Sequence, residues 1–175
     1  MKIFFSIQLV LFSVALFGQG LSHQEVRELY FEGWEGSCGA TELSNLLDEQ
    51  DVSQDAVLLA YKGAAQTTLA NCKKTPFSKL SVFNEGKDDL EKAIQEDPEN
   101  VEIRFLRYTI QTNIPGFLNY NNKEEDRKFI LDRLTLHNIS SVDADLRKRI
   151  IHYFESEGDL SEEEMNNIKQ LTAGG

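Results

Sequence analysis

Strict alternation of apolar and polar side chains, which a half-buried strand needs, is confined in this chain to isolated runs of five or six residues such as Val101–Phe105, and that scarcity constrains the fold more than any other feature. Beyond residue 20 the apolar residues fall instead three and four apart, the spacing that collects them on one side of an α-helix. Only three prolines interrupt 175 residues, and Glu, Lys, Leu, Gln and Ala, which lose little rotamer freedom in a helix, are plentiful. The pattern predicts an all-α chain: a compact helical bundle or short superhelix of about seven to eight antiparallel helices.

Local signals divide the chain. Ser22 and Glu25 form a capping-box pattern ahead of Val26, Leu29 and Tyr30, which predicts a first helix over 22–32. Gly33, Gly36 and Gly39 then recur every third residue, a composition that suits a loosened joint. A second helix is expected over 40–49 and a third from Ser53 as its cap, with a small-residue face through Ala64 and Ala65. Pro76 opens a fourth, carried by Phe77, Leu80, Phe83, Leu90 and Ile94 to residue 96. Asp97-Pro98 reads as the cap and first residue of a fifth. Its two stripes, Val101, Phe105, Tyr108 and Thr112 on one side and Ile103, Leu106 and Ile110 on the other, predict burial all round. Pro115-Gly116 ends it, and 113–122 is predicted as a loop bearing Phe117, Leu118 and Tyr120. Asn122, Ser141 and Ser161 are the expected starts of the last three helices.

Met1-Lys2, the apolar run from Ile3 to Phe17 and the small residues of Gly18-Gln19-Gly20 have the layout of a secretory signal peptide. The expectation is a signal over 1–20, cut after Gly18 or Gly20, followed by a single helical domain over 21–175. An uncleaved anchor is the alternative, although the run is short for a membrane span. The first cysteine, Cys38, lies too far along to receive an N-terminal lipid. The chain is therefore read as exported, periplasmic or secreted, without membrane contact after cleavage. Its net charge of −11, or −12 once Lys2 is lost, repels nucleic acid and anionic lipid at moderate salt. Cys38 and Cys72 can form one disulfide in an oxidising compartment, or remain two small buried apolar side chains; their spacing does not decide which.

The stretch from Gly86 to Pro98, GKDDLEKAIQEDP, resembles the second helix of a tetratricopeptide repeat. Gly86, Leu90, Ala93 and Pro98 stand where that repeat wants a small residue, a large apolar one, alanine and proline. Leu59-Ala60-Tyr61-Lys62-Gly63 is similar to its first helix, with about eleven more residues between the halves than the 34-residue repeat allows. The similarity spans 55–112. Residues 103–121, IRFLRYTIQTNIPGFLNYN, also resemble a group of small exported proteins from Bacteroidetes-type bacteria. The tetratricopeptide resemblance implies a non-enzymatic module that holds another protein or peptide. It places Val57, Ala60, Ala64 and Thr67, then Glu102, Phe105, Thr109 and Thr112, on a concave wall.

Beside that wall stand Arg104 and Arg107, next to Phe105 and Tyr108. A guanidinium binds a carboxylate through two parallel hydrogen bonds, so Arg104, Phe105, Arg107, Tyr108 and Thr112, with Phe117 and Tyr120 from the loop, form a candidate partner-binding set. The same arginines can instead pair within the chain with Glu91, Glu96 or Glu102, and the loop aromatics can fold back onto the bundle. In each case the intramolecular outcome is the more ordinary one.

No catalytic, cofactor-binding or metal-ligating constellation emerges from the sequence. Cys38 and Cys72 have only His23, His137 and His152 as possible bases, with no local signature joining them. Asp48, Asp51 and Asp55 lack the alternation and central glycine of a calcium loop, and the glycines at 33, 36 and 39 follow no strand. The alternative to a binding module is a small exported enzyme or enzyme inhibitor with a site around Cys38 or a histidine.

Overall fold

Helices begin where the chain offers an oxygen to their first free N–H groups. The computed structural model describes residues 20–32, 38–134, 142–156 and 160–173. Within them the Ser22–Glu25 capping box closes as expected, and α1 runs His23–Glu32. α2 is Thr41–Asp48. α3, Ala56–Leu69, is capped by Asp55 and not by Ser53: the Asp55 carboxylate accepts from the N–H groups of Val57 and Leu58, while the Ser53 N–H turns to Asp51. A 3-10 turn over Ala70–Cys72 leads to α4, Pro76–Glu96, boxed by Thr75 and Ser78.

Asp97-Pro98 does not open the fifth helix; it closes the fourth. The proline ring holds Asp97 outside the helical region, at φ −137° and ψ 76°, and Asn100 takes over as the cap. Its side-chain oxygen accepts from the N–H groups of Glu102 and Ile103 to start α5, Val101–Asn113. A second 3-10 turn, Gly116–Leu118, precedes α6, Lys123–Arg133, whose flanking Asn122 makes no side-chain cap bond. α7 is Ala144–Ser156, with Asp143 accepting the Leu146 N–H at its start, and α8 is Glu162–Ala173 behind the expected Ser161–Glu164 box. The eight helices are accompanied by no strand among the described residues. All but the last residue of the expected signal peptide, with Gly33, Gly36, His137 and Ser141, lie outside those residues.

α3 and α4 pack as a hairpin whose closeness depends on two missing side chains. Gly63 and Gly86 face each other at the crossing, and a β-carbon on either would lie 2.5 Å from the other's carbonyl oxygen. Behind Ala70–Cys72 the hairpin end is tied down: Cys38 and Cys72 form a disulfide, with Cα atoms 5.7 Å apart. Closing a loop of 34 residues is worth about 3–4 kcal/mol in the chain-entropy account.

α5 is buried on both sides, as its two stripes predict. Ile103, Leu106 and Ile110 join Tyr30, Tyr61, Leu90 and the alanines of α3 in one apolar cluster. Phe105 and Tyr108 join Ile130, Ile150 and Phe154 in a second. Phe31 links the two, its ring centroid 5.3 Å from Tyr30 and 6.1 Å from Phe105.

The crossing yields an opposed pair of effects. Alanine at a helical glycine gains about 1 kcal/mol of helix propensity, but at residue 63 it meets backbone that cannot swing aside, and overpacking of that kind costs about 1–3 kcal/mol. Gly63→Ala is therefore expected to lower stability in urea unfolding followed by circular dichroism. Gly116→Ala, with nothing within 4 Å of the new β-carbon, is expected to change it by less than about 0.5 kcal/mol. A stabilising Gly63→Ala would mean that the two backbones do not touch in solution.

Candidate functional site

The arginines of the partner-binding set are turned inward, and the cause is an aspartate in the helix after the loop. Asp126 on α6 is 0% exposed, and a buried carboxylate needs matched donors. Arg107, 3% exposed, supplies two of them: Nε and Nη2 donate to its two oxygens at 2.6 and 2.7 Å. Arg107 Nη1 reaches Glu91 on α4 at 3.0 Å, and Glu91 accepts the Tyr120 hydroxyl at 2.5 Å. Arg104 Nη1 lies 2.9 Å from Asp126 and 2.8 Å from Glu125. Burial acts to lower the Arg107 guanidinium, but the hydrogen bond and charge of Asp126 outweigh it and hold it above its ordinary range. Burial first, then the bond to Glu91, pushes the Tyr120 hydroxyl up. Of the three glutamates weighed as partners for these arginines, Glu91 takes the role, Glu96 meets Lys92 and Glu102 belongs to a second network.

That second network joins α1, α3 and α5. Arg27 Nε and Nη2 donate to Glu102 at 2.7 and 3.0 Å, Tyr61 donates to the same carboxylate at 2.6 Å, and Arg27 Nη1 reaches Asp143 at 2.6 Å. Nothing in the sequence singled out Arg27, Asp126 or Asp143; each is an ordinary charge near the start of a helix, and their pairings span 75, 19 and 116 positions.

The remaining members of the set divide. Phe105 and Tyr108 sit in the second core against Tyr153, at 5.5 and 6.0 Å between centroids. Thr112 is half-buried, its hydroxyl donating to the Tyr108 carbonyl. Val57, Ala60, Ala64, Thr67, Glu102, Phe105 and Thr109 are all buried, so the positions that the tetratricopeptide resemblance places on an open wall face the interior. The cause is α1 and α7, which pack where such a wall would open: Arg27 and Phe31 meet Glu102 and Phe105, and Tyr153 meets Phe105. The loop aromatics also part company: Tyr120 folds back onto Phe83, with Lys87 5.0 Å above its ring, whereas Phe117 is 84% exposed.

The residues considered for chemistry stand apart. Cys38 and Cys72 are joined to each other, so neither is a thiol. His23 Nε2 meets Asp55 at 2.8 Å on the surface, and His152 is exposed. Asp48 pairs with Lys62, Asp51 turns to Ser53 and Asp55 caps α3. Among the described residues no group of three His, Cys, Asp or Glu side chains could hold a metal.

What stands open is the end of the α3–α4 hairpin. Phe77 and Leu80, expected in the apolar stripe of α4, are 84% and 47% exposed, so no described helix covers that turn of α4. With Phe117 they are the exposed large apolar residues of the described chain, and Tyr120 lays the Phe117 loop against the same helix. Lys73, Lys74 and Lys79 are exposed around them and form no ion pair among the described residues. Thr75 and Ser78 fix the helix start, and the disulfide fixes the turn before it, so the face is rigid. A signal for it was present in the sequence: from 56 to 84 there are four lysines and no carboxylate, within a chain of 29 acidic residues. The chain matches no family model, no curated protein and no solved structure.

Two substitutions read the interior. Asp126→Asn leaves Arg104 and Arg107 without their shared counter-charge and is expected to cost about 3–5 kcal/mol. Gln111→Leu is expected to raise stability by about 1 kcal/mol, because both amide atoms of this buried residue lack a partner among the described residues. Denaturant titration of both variants checks this; a neutral Asp126→Asn would show that the charges are hydrated in solution.

Proposed function

We propose that this chain is an exported, non-enzymatic helical module that binds another protein or peptide, and that it does so through the face formed by Lys73, Lys74, Phe77, Lys79, Leu80 and Phe117. The observation that carries the reading is this face itself: large apolar side chains held out by a rigid helix end among unpaired lysines. Exposed apolar groups rimmed by polar ones mark interaction surfaces, and aromatic residues dominate the energy of such contacts. Arg104 and Arg107 support the fold in this reading, and recognition passes to the lysines.

Export is supported by the apolar run at the N-terminus and by the disulfide, which persists in oxidising compartments. The tetratricopeptide-like character is supported by the small-residue crossing of α3 and α4, where Gly86 of the repeat pattern meets Gly63. In this chain the pair presents its connecting end, since its concave side is filled.

A photo-crosslinking residue placed at Phe77 in the native host is expected to give discrete adducts with a polypeptide, identified by mass spectrometry, and the same residue at exposed Glu155 none. Lys74→Glu/Lys79→Glu is expected to reduce the Phe77 adduct at least about tenfold, since rim charges govern encounter. No adduct at Phe77 or Phe117, or an equal yield at Glu155, would overturn the assignment of the face.

A further inference from the structure

Charge runs in one direction along α4. Four lysines and no carboxylate lie between 56 and 84, whereas residues 85–102 hold eight carboxylates against two lysines. The helix has 21 residues, roughly 30 Å at 1.5 Å per residue, so its basic, apolar end and its acidic end are far apart on the molecule. The acidic end is concave. A groove of about 410 Å³ opens there, rimmed by Asp97, Glu99 and Asp143 and floored by Val101, Val142 and Leu146. Glu99 and Asp143 remain more than half exposed although they pair with Arg133 and Arg27.

The two ends complement each other in shape, polarity and sign. We propose that the occupant of the Lys73–Leu80 face is a second copy of this chain: Phe77 of one molecule enters the groove of the next, and its lysines meet the carboxylates of the rim. This rests on reading that face as a protein-binding face. A contact between like ends would oppose lysine to lysine, so the basic end of one copy meets the acidic end of another, and such a contact either closes as an antiparallel pair, each face in the other's groove, or extends into chains. Outside residues 56–84 the chain carries a net −15, which repels copies from every other approach and leaves this one favoured.

Sedimentation equilibrium of the purified chain in low salt is expected to show an average mass that rises with concentration to at least twice the monomer. The association constant is expected to fall at least about tenfold between about 20 and 300 mM salt, as screening shortens the reach of the charges. Phe77→Glu removes the head and Glu99→Lys the tail; both positions are exposed, and circular dichroism melts confirm folding. Each variant alone is expected to stay monomeric. Mixed in equal amounts they form a dimer that cannot grow, because one intact head and one intact tail remain. A wild-type chain that is monomeric up to about 0.5 mM in low salt, single variants that assemble as well as wild type, or a mixture that stays monomeric would each overturn the proposal. A monomeric chain whose Phe77 adduct is a different protein leaves the binding face standing and removes only the second copy. Binding to phosphatidylglycerol vesicles without self-association would assign the face to a membrane and overturn both.

Discussion

Glu102 and Arg107 stand five positions apart on a helix that is buried all round, and no arrangement of the other helices is acceptable unless both charges are met. α1 meets Glu102 with Arg27, and α3 adds the Tyr61 hydroxyl. α4 and α6 meet Arg107 with Glu91 and Asp126, and the loop brings Tyr120 to Glu91. Asp143, at the start of α7, completes the shell of Arg27. Each of these elements is thus placed by charge as well as by apolar contact.

Such pairs do not make the fold more stable than a well-packed apolar core would, because taking ions out of water offsets much of their attraction. Their effect is on which packing is allowed. α6 illustrates it: among its described side chains only Asp126 and Ile130 are buried, with Leu131 half-buried against the same core, so two aliphatic contacts and one carboxylate set its rotation about its own axis. Turned by a third of a turn, α6 would carry Asp126 away from Arg104 and Arg107 and leave the buried Arg107 short of its counter-charge. The apolar clusters on either side of α5 supply the driving force, and the charges select the register.

That division explains what the sequence could and could not disclose. Helix positions are local: the boxes at Ser22 and Ser161, the proline at 76 and the two stripes of α5 are each visible within a few residues, and each appears in the structure. Two starts were misread because neighbouring residues compete for the same job. Ser53 lies two positions before Asp55, whose ionised oxygen is the stronger acceptor, and Asp97-Pro98 carries both a stop and a start, of which the stop prevails. Long-range pairing is not local. Arg107 next to Phe105 and Tyr108 looks the same in sequence whether it faces a partner or Asp126, and the periodicity of α4 assigns Phe77 to the core without knowing that no described helix covers that end.

The two kinds of cation separate along the same line. Arg27, Arg104 and Arg107 are inside, each in a geometry that needs a planar fork able to make several hydrogen bonds at once. Lys73, Lys74 and Lys79 are outside, clustered and unpaired, although acidic side chains outnumber basic ones by 29 to 18. A chain with that excess of carboxylates could neutralise three more lysines with little rearrangement. Instead the acidic residues stop at Asp55 and resume at Glu85, which keeps a positive field where, among the described residues, Phe77 and Leu80 meet water. Stability gains nothing from exposed Phe77 and Phe117 or from unmatched charge, so the combination is better explained by what it can meet than by what it does for the fold.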